Sequence, residues 1–160
     1  MTNMNRDSLC PILTQPFTKE QLKAVTHPGS LSIEAGAGSG KTTVLTSRYI
    51  QELWEHPERE ISSILAITFT EKAAGEIAER IQKQLAPSDE DSLEIADFKL
   101  KYRHQLSEAN ISTIHGFCRQ LLSRYAIDAK LSPQVPITGQ EYTDIWMNDA
   151  YRRALKSAKD

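Results

Sequence analysis

Cysteine is nearly absent from this chain: two residues, Cys10 and Cys118, in 160. That excludes a disulfide framework and a four-cysteine zinc site. No apolar run approaches the roughly 18 residues that a membrane span needs. The first residues, MTNMNRDSLCPILTQPF, lack a long apolar core behind a basic start, so they do not read as a secretory signal. The expectation is a soluble, cytoplasmic protein with no membrane partner. Charge of one sign is also missing. Nineteen basic and 21 acidic residues leave a net charge of -2, which excludes a uniformly basic DNA-coating protein but not a local basic patch. Hydrophobic residues make up 39% and charged residues 25%. These values exclude wholesale disorder and collagen-like repeats. The length suits about one domain.

The order of elements is legible from punctuation and period. Residues 1–16, broken by Pro11 and Pro16, read as a loosely ordered lead-in. Thr18 is placed to cap a short helix, with Gln21 three residues on as its capping-box partner. His27-Pro28-Gly29 ends that helix, and Ser30 to Ile33 reads as a brief strand. A helix follows over 41–54, with Leu45, Tyr49 and Leu53 at four-residue spacing. The run Ile64 to Phe69 reads as a strand buried on both faces of a parallel sheet. Thr70 caps a helix over 71–85 whose apolar stripe is Ala74, Ile77, Ala78, Ile81 and Leu85. The acidic stretch 88–97 reads as a solvated loop and helix start. A helix over 91–107 leads to a third strand, 111–114, and another helix, 116–125. Residues 127–138, with Pro133 and Pro136, are irregular, and a final amphipathic helix starts near Gln140. Strands alternating with helices imply an α/β fold around a parallel sheet.

One motif carries explicit chemistry. Ala35-Gly36-Ala37-Gly38-Ser39-Gly40-Lys41-Thr42 fits the Walker A spacing, with Ala in place of the first Gly. It sits between an expected strand and an expected helix, the context that the motif requires. Small residues let backbone N–H groups curl around a phosphate, and the helix start turns its positive end to it. Lys41 would reach the β- and γ-phosphates, and Thr42 would offer its hydroxyl to Mg²⁺. A Gly-rich turn with an incidental lysine is the plain alternative. A phosphate loop alone names no function.

Three further segments narrow the reading. Leu65 to Ile81, including Thr68-Phe69-Thr70-Glu71-Lys72-Ala73-Ala74, resembles motif Ia of superfamily 1 DNA helicases of the UvrD/Rep type. Members usually read Thr-Phe-Thr-Asn-Lys-Ala-Ala; here Glu71 stands for the Asn and Ile77 for a Met. Phe17 to Val25 is similar to the family's Q motif, and Ser112-Thr113-Ile114-His115-Gly116-Phe117-Cys118 to its motif Ib. The stretch 106–111 and the tail beyond Leu121 resemble the AddA/RecB helicase–nuclease branch.

The resemblance implies a partial RecA-like P-loop domain, called 1A, over 17–125 behind the 1–16 lead-in. Residues 126–160 would begin a helical inserted subdomain, 1B. It implies ATP and Mg²⁺ as cofactors and single-stranded DNA as a partner, with 3′ to 5′ movement in DNA repair or recombination. The rest of the helicase, and a partner subunit, would complete the machine. The ATP-binding set would be Gln21 (on the adenine), Ala35, Gly36, Ala37, Gly38, Ser39, Gly40, Lys41, Thr42 and Thr43. Lys41 and Thr42 would be catalytic, with Thr42 the Mg²⁺ ligand.

The residues themselves support a DNA edge. In a parallel α/β sheet, functional groups gather beyond the carboxyl ends of the strands. Phe69 ends one strand, where it could stack on a base or pack as a core aromatic. Thr70, Lys72 and Thr113 could donate to phosphates, with His115 beside them. Lys72 reads equally as an exposed helix-start lysine, and Arg80 as a surface charge. His115 and Cys118 have no orienting acid and do not read as a catalytic pair; Cys118 is expected to be a buried small hydrophobe.

A motor ATPase also needs an acidic pair closing a buried strand, and Asp89-Glu90 follows Pro87-Ser88 instead. No arginine finger is evident. The expectation is an N-terminal fragment of a larger helicase, or a truncated gene product, without turnover alone. A non-catalytic nucleotide- or DNA-binding module is the alternative. A small P-loop kinase would need an acidic strand end and an arginine-rich lid, and the sequence offers neither.

Overall fold

The structure, a computed structural model, describes residues 9–131 and 140–157. The chain divides into two compact units between Phe117 and Cys118, each taken by itself below. Among the described residues no helix is long and apolar enough to cross a membrane.

The first unit begins with an ordered strap rather than a loose lead-in. Cys10 and Leu13 are buried, with Leu9 and Ile12 packed beside them. The Cys10 N–H donates to Gln51 Oε1 at 2.8 Å, and Gln15 Nε2 donates to Ser47 Oγ at 2.6 Å. The reason is reciprocal. Helix α2 (Lys41–Glu55) buries Ser47 and Gln51, whose polar groups need partners, and the strap supplies them along with apolar cover. Residues 1–8 of the expected lead-in lie outside the described residues.

Helix α1 (Lys19–Val25) carries the full capping box: Gln21 N–H donates to Thr18 Oγ1, and Thr18 N–H donates to Gln21 Oε1. The strand expected at Ser30 to Ile33 does not form. That segment is extended but has no ladder partner among the described residues, and Leu31 and Ile33 stay 40% and 50% exposed. Alternating apolar residues supply one side of a strand, but a strand exists only when a neighbour takes its backbone groups.

Helix α2 buries Tyr49, Ile50 and Leu53, while Leu45 faces outward. The Tyr49 hydroxyl donates to the Ile61 carbonyl at 3.3 Å, and burial pushes its pKa up to about 12. Strand β1 (Leu65–Thr68) follows, then α3 (Glu71–Gln84), α4 (Leu93–His104) and strand β2 (Asn110–Thr113). The two strands pair in parallel, from Leu65 opposite Asn110 to Thr68 opposite Thr113. Among the described residues this is the whole sheet. Thr70 caps α3, whose Ala74, Ile77 and Ile81 are buried, with Leu85 just beyond. Ser92 caps α4, where Phe98 packs edge-on between Trp54 and Tyr102 at 5.2 and 4.8 Å. Asp91, in the acidic stretch, is not merely solvated: Lys99 Nζ donates to both of its oxygens at 2.7 and 2.8 Å.

The expectation that β1 is covered on both faces fails. Ala66 is buried, but Leu65 and Ile67 are 42% and 44% exposed. With β2 on one edge only, no element among the described residues covers the side that these two residues share.

Helix α5 (Ile114–Arg124) runs on from β2. In the second unit its last turns lead through tight turns at 125–130, where Lys130 adopts a φ of 55°. Cys118 is exposed rather than buried. Helix α6 (Gln140–Ser157) exposes Tyr142, Ile145, Trp146, Met147 and Tyr151. The irregular stretch with Pro133 and Pro136 falls largely in 132–139, outside the described residues.

Candidate functional site

Helix α2 differs from its neighbours at its N-terminus. Helices α1, α3 and α4 are closed by the side chains of Thr18, Thr70 and Ser92. Helix α2 begins at Gly40, which caps it without a side-chain hydrogen bond. Its first-turn N–H groups therefore keep no side-chain acceptor from the cap, the arrangement that suits an anion. Gly38 and Gly40 have φ of 76° and 83°, left-handed values that side chains strongly disfavour. The spacing of glycines in 35–42 thus matches where the loop turns.

The loop holds itself closed. Lys41 Nζ donates to the carbonyls of Ala35 and Gly36, both at 2.7 Å. Ser39 Oγ donates to the Gly36 carbonyl at 2.8 Å. Gln21 reaches across from α1, its Nε2 donating to the Ser39 carbonyl at 3.0 Å. Lys41 is exposed, so its ammonium can leave these carbonyls for a stronger anionic acceptor. Thr42 and Thr43 lie in the first turn of α2, each half-buried. Arg80 is more than a surface charge: from α3 its Nη1 donates to Thr43 Oγ1 at 3.4 Å. Arg48, which carries no motif signal in the sequence, donates to the carbonyls of Ala24 and Gly29 and so pins the turn after α1 against α2.

A mostly apolar cleft of about 980 Å³ opens beside this loop. Gln21, Ala35, Ser39 and Lys41 contribute to one wall, and Leu65 and Ile67 to another. Phe69, Thr70, Lys72 and His115 do not line it. They form a second cluster, where the ends of the paired strands β1 and β2 lie side by side.

In that cluster Phe69 is 100% exposed, which removes the core-aromatic alternative. Lys72 and His115 are also exposed. The Thr70 hydroxyl accepts from the Ala73 N–H as the cap of α3, and Thr70 remains exposed. Thr113 is the exception. It is 5% exposed, and its hydroxyl donates to Glu71 Oε1 at 2.7 Å while accepting from the Gly116 N–H at 3.1 Å. Its expected availability to a phosphate is overturned, because both of its polar roles are taken inside the protein. Glu71, noted in the sequence only as a departure from the usual Asn, accepts the proton that a phosphate would have taken. Among the described residues no cluster of His, Cys, Asp and Glu could hold a metal ion.

The UvrD/REP helicase N-terminal domain family matches residues 17–160. The chain belongs to that family. Its similarity to curated proteins points the same way. It is 42% identical over 124 residues to the AddA component of the ATP-dependent helicase/nuclease of Latilactobacillus sakei subsp. sakei (strain 23K), covering 73% of this chain and 14% of that protein. The protein of the same name from Lactobacillus gasseri is 40% identical over 129 residues, 78% of this chain and 10% of the relative. That from Desulfitobacterium hafniense (strain DCB-2) is 33% identical over 136 residues, 83% of this chain and 10% of the relative. The chain thus spans about a tenth to a seventh of the length of these relatives. Within this UvrD/REP domain, the 35–42 loop, α3 and the short parallel sheet fit a partial RecA-like domain.

Proposed function

We propose that this chain is the ATP-binding and single-stranded-DNA-contacting part of an ATP-dependent 3′ to 5′ DNA helicase that acts in DNA repair or recombination. Its relatives are named as one component of a helicase/nuclease, so the natural partners are the remainder of the helicase and a second protein of that assembly. The cytoplasm is the natural compartment. Residues 17–125 would form the nucleotide-binding part, and 126–160 would begin the helical subdomain.

The observation that carries the reading is the uncapped start of α2 behind a Gly-Lys-Thr loop with left-handed Gly38 and Gly40. Backbone N–H groups there would take the phosphates, and Lys41 would exchange the Ala35 and Gly36 carbonyls for phosphate oxygens. Thr42 would hold Mg²⁺, which supplies neutralisation of charge between the β- and γ-phosphates. Phe69 would stack on a base of single-stranded DNA, while Lys72, Thr70 and His115 sit beside its backbone.

In the whole enzyme, opening and closing of the nucleotide cleft would drive stepping along the strand. The chain alone lacks an acidic pair at a strand end, which supports binding without turnover. Titration with a fluorescent ATP analogue, with and without Mg²⁺, tests the reading. Binding enhanced by Mg²⁺ and lost in Lys41→Ala is expected. Binding unchanged by Lys41→Ala would sink the assignment.

A further inference from the structure

The Gln21 side chain has both polar atoms committed. Its Oε1 accepts from the Thr18 N–H at 2.9 Å, and its Nε2 donates to the Ser39 carbonyl at 3.0 Å. The first bond closes the capping box of α1. The second fixes one peptide of the phosphate loop. A peptide unit is planar, with its C=O and N–H pointing in opposite directions. Holding the Ser39 carbonyl toward α1 therefore directs the Gly40 N–H away from α1. That N–H belongs to the residue on which α2 begins. Contact here is close: a Cβ on Gly40 would sit 2.9 Å from Gln21 Nε2. Gly40 is thus required twice, by its φ of 83° and by the amide lying against it.

We infer that Gln21 is a positioning residue for the polyphosphate itself: it braces the Ser39–Gly40 peptide, so its contribution to affinity does not depend on the base. This rests on the phosphate-loop reading above. It separates Gln21 from a role on the adenine alone, since a brace acts equally on ligands with no base at all.

Gln21→Glu isolates the brace. A glutamate keeps an oxygen for the Thr18 N–H and so preserves the capping box. It has no N–H to give to the Ser39 carbonyl, and its charge repels that oxygen. The experiment uses the full chain and three probes: a fluorescent ATP analogue, the matching GTP analogue, and inorganic tripolyphosphate in competition. Lys41→Ala serves as the control, and helicity and the unfolding midpoint report on α1. Gln21→Glu is expected to weaken all three ligands by a similar factor, about three- to tenfold, the scale of one lost hydrogen bond. Helicity and midpoint should stay at wild-type values. Loss confined to the ATP analogue, with tripolyphosphate unchanged, would overturn the brace in favour of base recognition. No loss for any ligand would overturn it as well. Lys41→Ala binding all three normally would remove the phosphate-loop reading itself, and the brace with it.

Discussion

The Thr113 hydroxyl donates to the Glu71 carboxylate at 2.7 Å and so joins the end of β2 to the start of α3. The same oxygen accepts the Gly116 N–H, near the start of α5. One buried hydroxyl therefore holds three element ends in register beneath the exposed Phe69. Thr113→Val keeps the shape and removes both bonds. It should cost about 1–3 kcal/mol, the penalty for leaving such groups unpaired. Urea unfolding measures this. The salt dependence of DNA binding should not change, because the hydroxyl does not face solvent.

Phe69→Ala should leave stability within about 0.5 kcal/mol, as expected of an exposed side chain away from the core. Single-stranded DNA affinity should nevertheless fall several-fold, given about 1–3 kcal/mol per stacked base. Fluorescence anisotropy with oligonucleotides of different base content checks both the loss and the absence of base preference. A large drop in unfolding midpoint with intact DNA binding would contradict the assignment.

Lys72→Ala acts on a different term. Removing about one phosphate contact should lower the slope of log affinity against log salt by about 0.7 for a single strand. Affinity should fall alike for all sequences. A slope equal to that of the unaltered chain would place Lys72 off the DNA path.

The two cysteines should separate cleanly in reactivity. Burial pushes the Cys10 thiol up to about 11, whereas Cys118 is exposed. At neutral pH a thiol reagent should modify Cys118 quickly and Cys10 only as the chain opens. The sign for stability follows: the protonated thiol is the buried form, so its contribution is intact below the ordinary value of 9.0 and declines as pH climbs toward about 11. Mass spectrometry of a labelling time course reads the order.

Asp91 should govern part of the acid limb. Its carboxyl is held below its ordinary value of 3.8, first by the hydrogen bond from Lys99 and then by the Ser88 N–H. A lowered value in the folded state means stabilisation present above 3.8 and lost as pH falls through the lower folded value. Asp91→Asn should flatten that part of the stability–pH curve, followed by thermal unfolding in acid.

Helices were legible because their signals are local. Thr18 with Gln21, Thr70 and Ser92 each precede an apolar period, and each caps a helix in the structure. The left-handed turns of the 35–42 loop were legible because glycine stands where φ is positive. Tertiary commitments were not. A threonine hydroxyl can donate to a phosphate or to a carboxylate, and only the fold puts Glu71 within reach of Thr113. Leu31 and Ile33 alternate like a strand, but no sequence pattern says whether a partner will pair with them. Leu9, Cys10, Ile12 and Leu13 carry enough apolar surface to dock, a signal masked by the prolines around them.

The open side of β1 sets how this chain behaves in a test tube. Two paired strands leave unpaired N–H and C=O groups along the outer edges, and here Leu65 and Ile67 stand beside them in the open cleft. Such an edge is a template for another strand, including one from a second copy of the chain. Self-association should therefore rise with concentration and be suppressed by a charge at position 67, as in Ile67→Lys. Nucleotide and DNA titrations belong in the dilute regime, where each phosphate loop is read singly rather than through an aggregate.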